Sequence, residues 1–127
     1  MPGALVLVDG DNVSHARWAE HPVAEQRSLL LDACAELHAR TGVDIEVVFD
    51  GAGAVAATGT LTHQAVRYRF TPAGTEADDV LLERIGEEPD DRPVVVASSD
   101  GRVRDGARRL GANVVAAAQC LALLRRE

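Results

Sequence analysis

Ala4-Leu-Val-Leu-Val8 followed by Asp9-Gly-Asp-Asn12 is an apolar run of strand length that stops at an acidic turn cluster. Ile45–Phe49 repeats the pattern and ends at Asp50. Val94–Ala97, free of proline, repeats it again and runs into Ser98-Ser99-Asp100-Gly101. Helical signals lie between these strands. Pro22 opens a helix over 23–40 with Gly42 just past its end, and Leu30, Cys34 and Leu37 recur at the spacing that faces a sheet. Thr75 to Ile85 reads as a second helix packed through Leu81, Leu82 and Ile85, stopped by the acidic turn Glu87–Pro93 with its two prolines. Val103–Leu110 is a short helix closed by Gly111. Asn113–Ala116 is a further short strand, and Gln119–Arg125 a last helical turn or two. Val66, Tyr68 and Phe70 alternate with Arg67 and Arg69, the pattern of a strand with one wet face, which places it at an edge. Gly51–Thr62, with Gly51, Gly53 and Gly59 among small residues, reads as a mobile loop or weak helix start. Strands alternating with helices predict an α/β fold: a parallel sheet of five strands covered on both faces, in three layers.

The 127 residues suit one domain spanning 1–127, and a chain of this size buries about two-thirds of its surface without metals or disulfides as staples. No apolar run approaches the roughly 18 residues that span a bilayer, and no secretion signal opens the chain, so a cytoplasmic protein with no membrane partner is expected. Cys34 and Cys120 lack partner spacing and read as small buried hydrophobes. All 13 basic residues are arginine and the net charge is −7, which argues against a general nucleic-acid coat. It leaves room for an acidic pocket that accepts a phosphate once a divalent metal is bound.

Three strands end in or beside an aspartate: Asp9, Asp50 and Asp100. In an open parallel sheet these ends share one edge, where ligands bind at the topological switch point. Asp78, at the start of the helix before the fourth strand, joins the same edge, with Asp79, Asp11 and Asp105 close in sequence. Converging carboxylates repel unless a cation sits between them, and hard oxygen donors select Mg²⁺ or Mn²⁺. Each acid also has a plain structural explanation. Asp9 suits a turn, Asp100 suits a helix cap, and Thr75-Glu-Ala-Asp78 suits a capping box. Caps explain acids near helix starts, but not why three strands all finish beside one. Arg67, Arg69, Arg102 and Arg104 are the candidates for backbone phosphates, with Arg108 and Arg109 better suited to a solvated face. Trp18 and Tyr68 are most simply core, and the four dispersed histidines receive no catalytic role.

The segments Leu5-Val-Leu-Val-Asp9-Gly-Asp-Asn12-Val, Val47-Val-Phe-Asp50-Gly, Thr75-Glu-Ala-Asp78-Asp79 and Val94-Val-Val-Ala-Ser98-Ser-Asp100 together resemble the YacP-like branch of the NYN domains, within the PIN-like nuclease superfamily. The resemblance covers almost the whole chain. It implies a metal-dependent endoribonuclease on a five-stranded sheet in order 3-2-1-4-5, acting on messenger or ribosome-associated RNA. It implies Asp9, Asp78 and Asp100 as the Mg²⁺- or Mn²⁺-binding catalytic acids, with Asp50 and Asp79 as second-tier ligands. Asn12 would orient the first loop or the substrate phosphate, and Ser98 would stand as the hydroxyl residue two before the last acid. Asp11 departs from the family pattern. Two other readings compete. One is a non-catalytic RNA-binding module on the same fold. The other is a haloacid-dehalogenase-like phosphatase, suggested by Asp9-Gly-Asp11-Asn-Val13, although Asn113–Ala116 ends without the acidic pair that such a mechanism needs.

Overall fold

The computed structural model describes residues 3–51, 60–72 and 75–124. Along the chain these form β1 (Leu5–Asp9), α1 (Gly10–Trp18), α2 (Val23–Thr41), β2 (Asp44–Phe49), β3 (Leu61–His63), β4 (Val66–Phe70), α3 (Ala77–Glu87), β5 (Val94–Ala97), α4 (Gly101–Arg109), β6 (Asn113–Val115) and α5 (Ala117–Leu124). The sheet runs β3-β4-β2-β1-β5-β6. The expected five-stranded parallel sheet is therefore a six-stranded mixed one. The parallel strands run β4-β2-β1-β5-β6, and β3 pairs antiparallel with β4 on its outer side. The strand carrying Arg67 and Arg69 is thus not the edge. A tight turn makes this hairpin possible: Gln64 and Ala65 both adopt positive φ, 47° and 73°, the twist that joins antiparallel strands closely. Of the glycine-bearing loop read over Gly51–Thr62, residues 52–59 lie outside the described residues, and Leu61 and Thr62 already belong to β3.

Side chains alternate across the sheet and divide the core in two. Ile45, Val47, Phe49, Val66 and Val8 face α1, α2 and α5, with Leu30, Cys34 and Cys120 packed among them. Leu5, Leu7, Val48 and Val96 face α3 and α4 through Leu81, Ile85, Val103 and Ala107. Burial pushes the Cys34 thiol up and the Cys120 thiol to about 11, so both sit as neutral apolar groups. Gly42, at φ 73°, closes α2 by donating its N–H to the His38 carbonyl at 2.8 Å, the left-handed cap that glycine favours. No described helix is long and apolar enough to cross a membrane.

The turn cluster at Asp9-Gly-Asp-Asn is in fact the first turn of α1. Gly10, Asp11 and Asn12 are poor helix formers, and burial of Val13 and Ser14 outweighs their propensity. Gly10 serves close packing. A Cβ there would lie 2.5 Å from two Phe49 ring carbons and 2.8 Å from Val47 Cγ1. Gly10→Ala is expected to lower stability by about 1–3 kcal/mol, through overpacking between α1 and β2. The midpoint of urea unfolding measures it, and an unchanged midpoint would show that Phe49 yields freely.

Candidate acidic active site

Strands β1 and β5 lie side by side, with Val8 opposite Ala97, so the residues that follow them meet at one edge. Asp9 is buried there, 8% exposed, and its Oδ2 accepts the Ser98 hydroxyl at 2.8 Å. The same Ser98 oxygen accepts the Asp100 N–H at 3.0 Å. Ser98 is itself held in the ladder by its N–H to the Val115 carbonyl. From the α1 side, Asn12 Oδ1 accepts the Ser99 N–H at 2.9 Å, fixing the two loops to each other. Burial raises the Asp9 carboxyl from 3.8 to about 6. The Ser98 hydrogen bond opposes the rise, and the negative charges of Asp100, Asp11 and Asp78 add to it.

Asp100 caps α4 by accepting the Arg102 and Val103 N–H groups, both through Oδ1, which leaves Oδ2 out of the cap. Asp78 does not form the capping box read at Thr75. Glu76 occupies the cap position of α3 without a side-chain cap hydrogen bond, and Asp78 falls in the first turn, where its Oδ1 accepts the Asp79 N–H at 3.0 Å. A carboxylate there is favoured by the helix dipole. Glu76, Asp78 and Asp79 each place a carboxylate oxygen within 4.8 Å of the others. Glu76 lies inside the Thr75-Glu-Ala-Asp78-Asp79 motif, but in the linear pattern it stands only as a spacer between Thr75 and Asp78. Arg102 spans this group, with Nη1 at 2.6 Å from Asp78 and 3.3 Å from Glu76, and Nη2 at 2.5 Å from Asp79. A chain of contacts therefore runs from Asp9 through Ser98, Asp100 and Arg102 to the acids of α3.

Asp11 and Asp50 lie beside this set with different duties. Arg27 grips both oxygens of Asp11 at 3.0 and 3.1 Å and donates to the Asp50 carbonyl at 2.9 Å. Its guanidinium lies 5.3 Å and 5.2 Å from the Phe49 and Phe70 ring centroids. Asp11 also accepts the Asp50 N–H at 2.8 Å, so α1, α2 and the end of β2 are joined at one ion pair. The Asp50 carboxylate receives the Thr71 hydroxyl at 3.4 Å. Arg104 donates to the Ser98 carbonyl at 3.2 Å, within reach of the acidic edge.

Arg67 and Arg69 face the α3 side of the sheet. There they pair at 3.6 and 3.8 Å with Glu46, a buried carboxylate on β2 that also accepts Arg84 at 3.0 Å. Arg69 Nε is buried with no hydrogen-bond partner among the described residues. The structure brings Asp9, Asn12, Ser98, Asp100 and Arg104 together, links Asp78 and Asp79 to them through Arg102, and engages Arg67 and Arg69 with an internal acid.

A family model for the YacP-like NYN domain matches residues 6–127. The chain belongs to the YacP-like NYN domain family. Among solved structures, two crystal structures of Rae1 (YacP) from Bacillus subtilis, one of them a single-residue mutant, match it with a TM-score of 0.80 at 25% identity. The alignments take in 95% and 94% of this chain and 74% and 72% of those chains. No curated protein sequence matches it at a significant level. Membership of the YacP-like NYN family, a PIN-like nuclease domain, supports a nuclease-type function on RNA. PIN-like nucleases commonly use divalent metals, and the donor set here suits one: all oxygen, with the buried Asp9 short of positive charge.

Proposed function

We propose that this YacP-like NYN domain is a metal-dependent endoribonuclease in the cytoplasm, cutting single-stranded messenger or ribosome-associated RNA. The observation that carries the reading is Asp9. It is a buried carboxylate pushed up to about 6 at the end of the central strand, within the field of Asp100 and Asp78. Asp9, Asp78 and Asp100 would hold Mg²⁺ or Mn²⁺, with Asp79 and Glu76 beside them and Asp50 acting at longer range. Bound there, the metal supplies an activated water and charge stabilisation for in-line displacement at phosphorus. The chain's own residues do the rest. Ser98 holds the Asp9 carboxylate in position, Asn12 ties the two loops that frame the site, and Arg104 offers a guanidinium to the RNA backbone.

The phosphatase alternative requires a free second aspartate at Asp11, and Arg27 holds both of its oxygens. Asp100→Asn tests the nuclease reading cleanly. Asparagine caps a helix as well as aspartate does, so α4 keeps its N-cap while the site loses one charge. With labelled single-stranded RNA and Mn²⁺, the wild type is expected to cut internally and to stop on chelation. Asp100→Asn is expected to retain its melting temperature and lose cleavage by about 100-fold. Metal-independent RNA binding without cleavage in the wild type would favour the binding-module reading instead.

A further inference from the structure

Arg102 is the basic side chain that meets the α3 acids, contacting Asp78, Asp79 and Glu76 together. A guanidinium and a divalent cation neutralise the same carboxylate oxygens, so the two compete for them. We propose that Arg102 is the internal counter-ion of the metal-free site, and that on metal loading it withdraws from these carboxylates and turns its guanidinium to the RNA phosphate. The inference rests on the nuclease reading and assigns one residue two successive partners.

Three features of the structure support this exchange. Arg102 lies in the first turn of α4 with its side chain 57% exposed, so its guanidinium can swing without moving the core. The Arg102 guanidinium faces solvent in all three pairs, and two of its three partners, Glu76 and Asp79, are themselves exposed, so these contacts hold the arginine in place without locking it there. Its backbone is fixed, because the Arg102 N–H is bonded to Asp100 Oδ1 at 2.9 Å. The displaced side chain therefore stays at the acidic edge, where a planar fork of donors matches a phosphate in two-point contact. Arg104, two residues along α4 and bonded to the Ser98 carbonyl, makes no carboxylate contact among the described residues and leaves the counter-ion task to Arg102.

The two roles give opposite signs in one variant. Arg102→Gln removes the competitor, so calorimetric titration with Mn²⁺ is expected to show about fivefold tighter binding than wild type. The metal-induced rise in melting temperature should grow to match. The same variant loses the phosphate contact, so the KM for a labelled single-stranded RNA is expected to rise by about tenfold. Arg102→Lys keeps the charge without the fork and should fall between the two. Unchanged or weaker Mn²⁺ binding in Arg102→Gln would overturn the counter-ion role and make Arg102 an organiser of the ligands. Tighter Mn²⁺ with an unchanged KM would overturn the phosphate role. A wild type that takes up no Mn²⁺ at all would instead fail the nuclease reading, and this inference with it.

Discussion

Asp9→Asn is expected to raise the melting temperature of the metal-free protein at neutral pH and to abolish RNA cleavage. The folded carboxyl titrates near 6 against 3.8 unfolded. Between those values the folded state holds more protons than the unfolded one, so stability falls as pH rises from about 4 to about 6 and levels off above. The two-unit difference corresponds to roughly 3 kcal/mol at pH 7. Asparagine keeps an oxygen for the Ser98 hydroxyl and carries no charge to bury. The gap between variant and wild type should therefore be small at pH 4, open through pH 5 and be complete above pH 6. Melting in the presence of a chelator across that range measures it, and a gap that does not vary with pH would contradict the burial argument. Cleavage of labelled RNA with Mn²⁺ should drop by at least about 100-fold in the same variant. Gain of stability with loss of activity marks an acid kept for function.

Glu46→Ala acts the other way and touches only the fold. Glu46 is 5% exposed and takes its counter-charges from Arg67, Arg69 and Arg84. Arg84 also bonds Glu88, which in turn holds Arg92, so one line of alternating charge runs over the α3 face of the sheet. The hydrogen bonds of Glu88 to both arginines, with Arg84 the stronger influence, hold its carboxyl below the usual range. Removing the buried carboxylate leaves three guanidinium groups facing one another. Arg67 can turn to water while Arg69, with its buried Nε, is less free to and Arg84, 14% exposed, cannot, so the expected loss is about 3 kcal/mol, the lower end for breaking a buried pair. A shift of the urea midpoint checks this, and a loss under about 1 kcal/mol would show that Arg84 is satisfied by Glu88 alone.

Glu46 also shows why part of the molecule was hidden in the sequence. The alternation Val66, Tyr68, Phe70 against Arg67 and Arg69 was legible as a two-faced strand, but its polar face is turned to an internal acid. The signal was available: a lone glutamate within Ile45–Phe49 needs a partner when that strand is buried. Strand β3 is three residues long and carries no periodicity, so nothing local announced it. Helix α1 was masked because Gly10, Asp11 and Asn12 are turn formers held in a helix by tertiary packing. The acidic edge was the legible part, because strand ends in a parallel sheet are fixed by topology alone. Its internal wiring was not. Arg27 meets Asp11 from 16 residues away, and Arg102 meets Asp78 from 24. Contacts of that separation leave no mark in a linear pattern.

Asp9 closes β1 opposite Val48, and Ser98 follows β5 with its N–H still bonded to Val115. The separation of Asp9 from Ser98, and so from the Asp100 backbone that Ser98 binds, is inherited from the spacing of two hydrogen-bonded strands, about 4.8 Å. The approach to these acids is lined by helix starts and connecting segments, which vary more freely than strands do. For the proposed nuclease, reaction chemistry and target choice are therefore separable parts of the molecule. On the proposed function, the segments around the acidic edge could be exchanged to redirect the site to another RNA while the acids keep their spacing, which would make the sheet a chassis for reprogrammed ribonucleases.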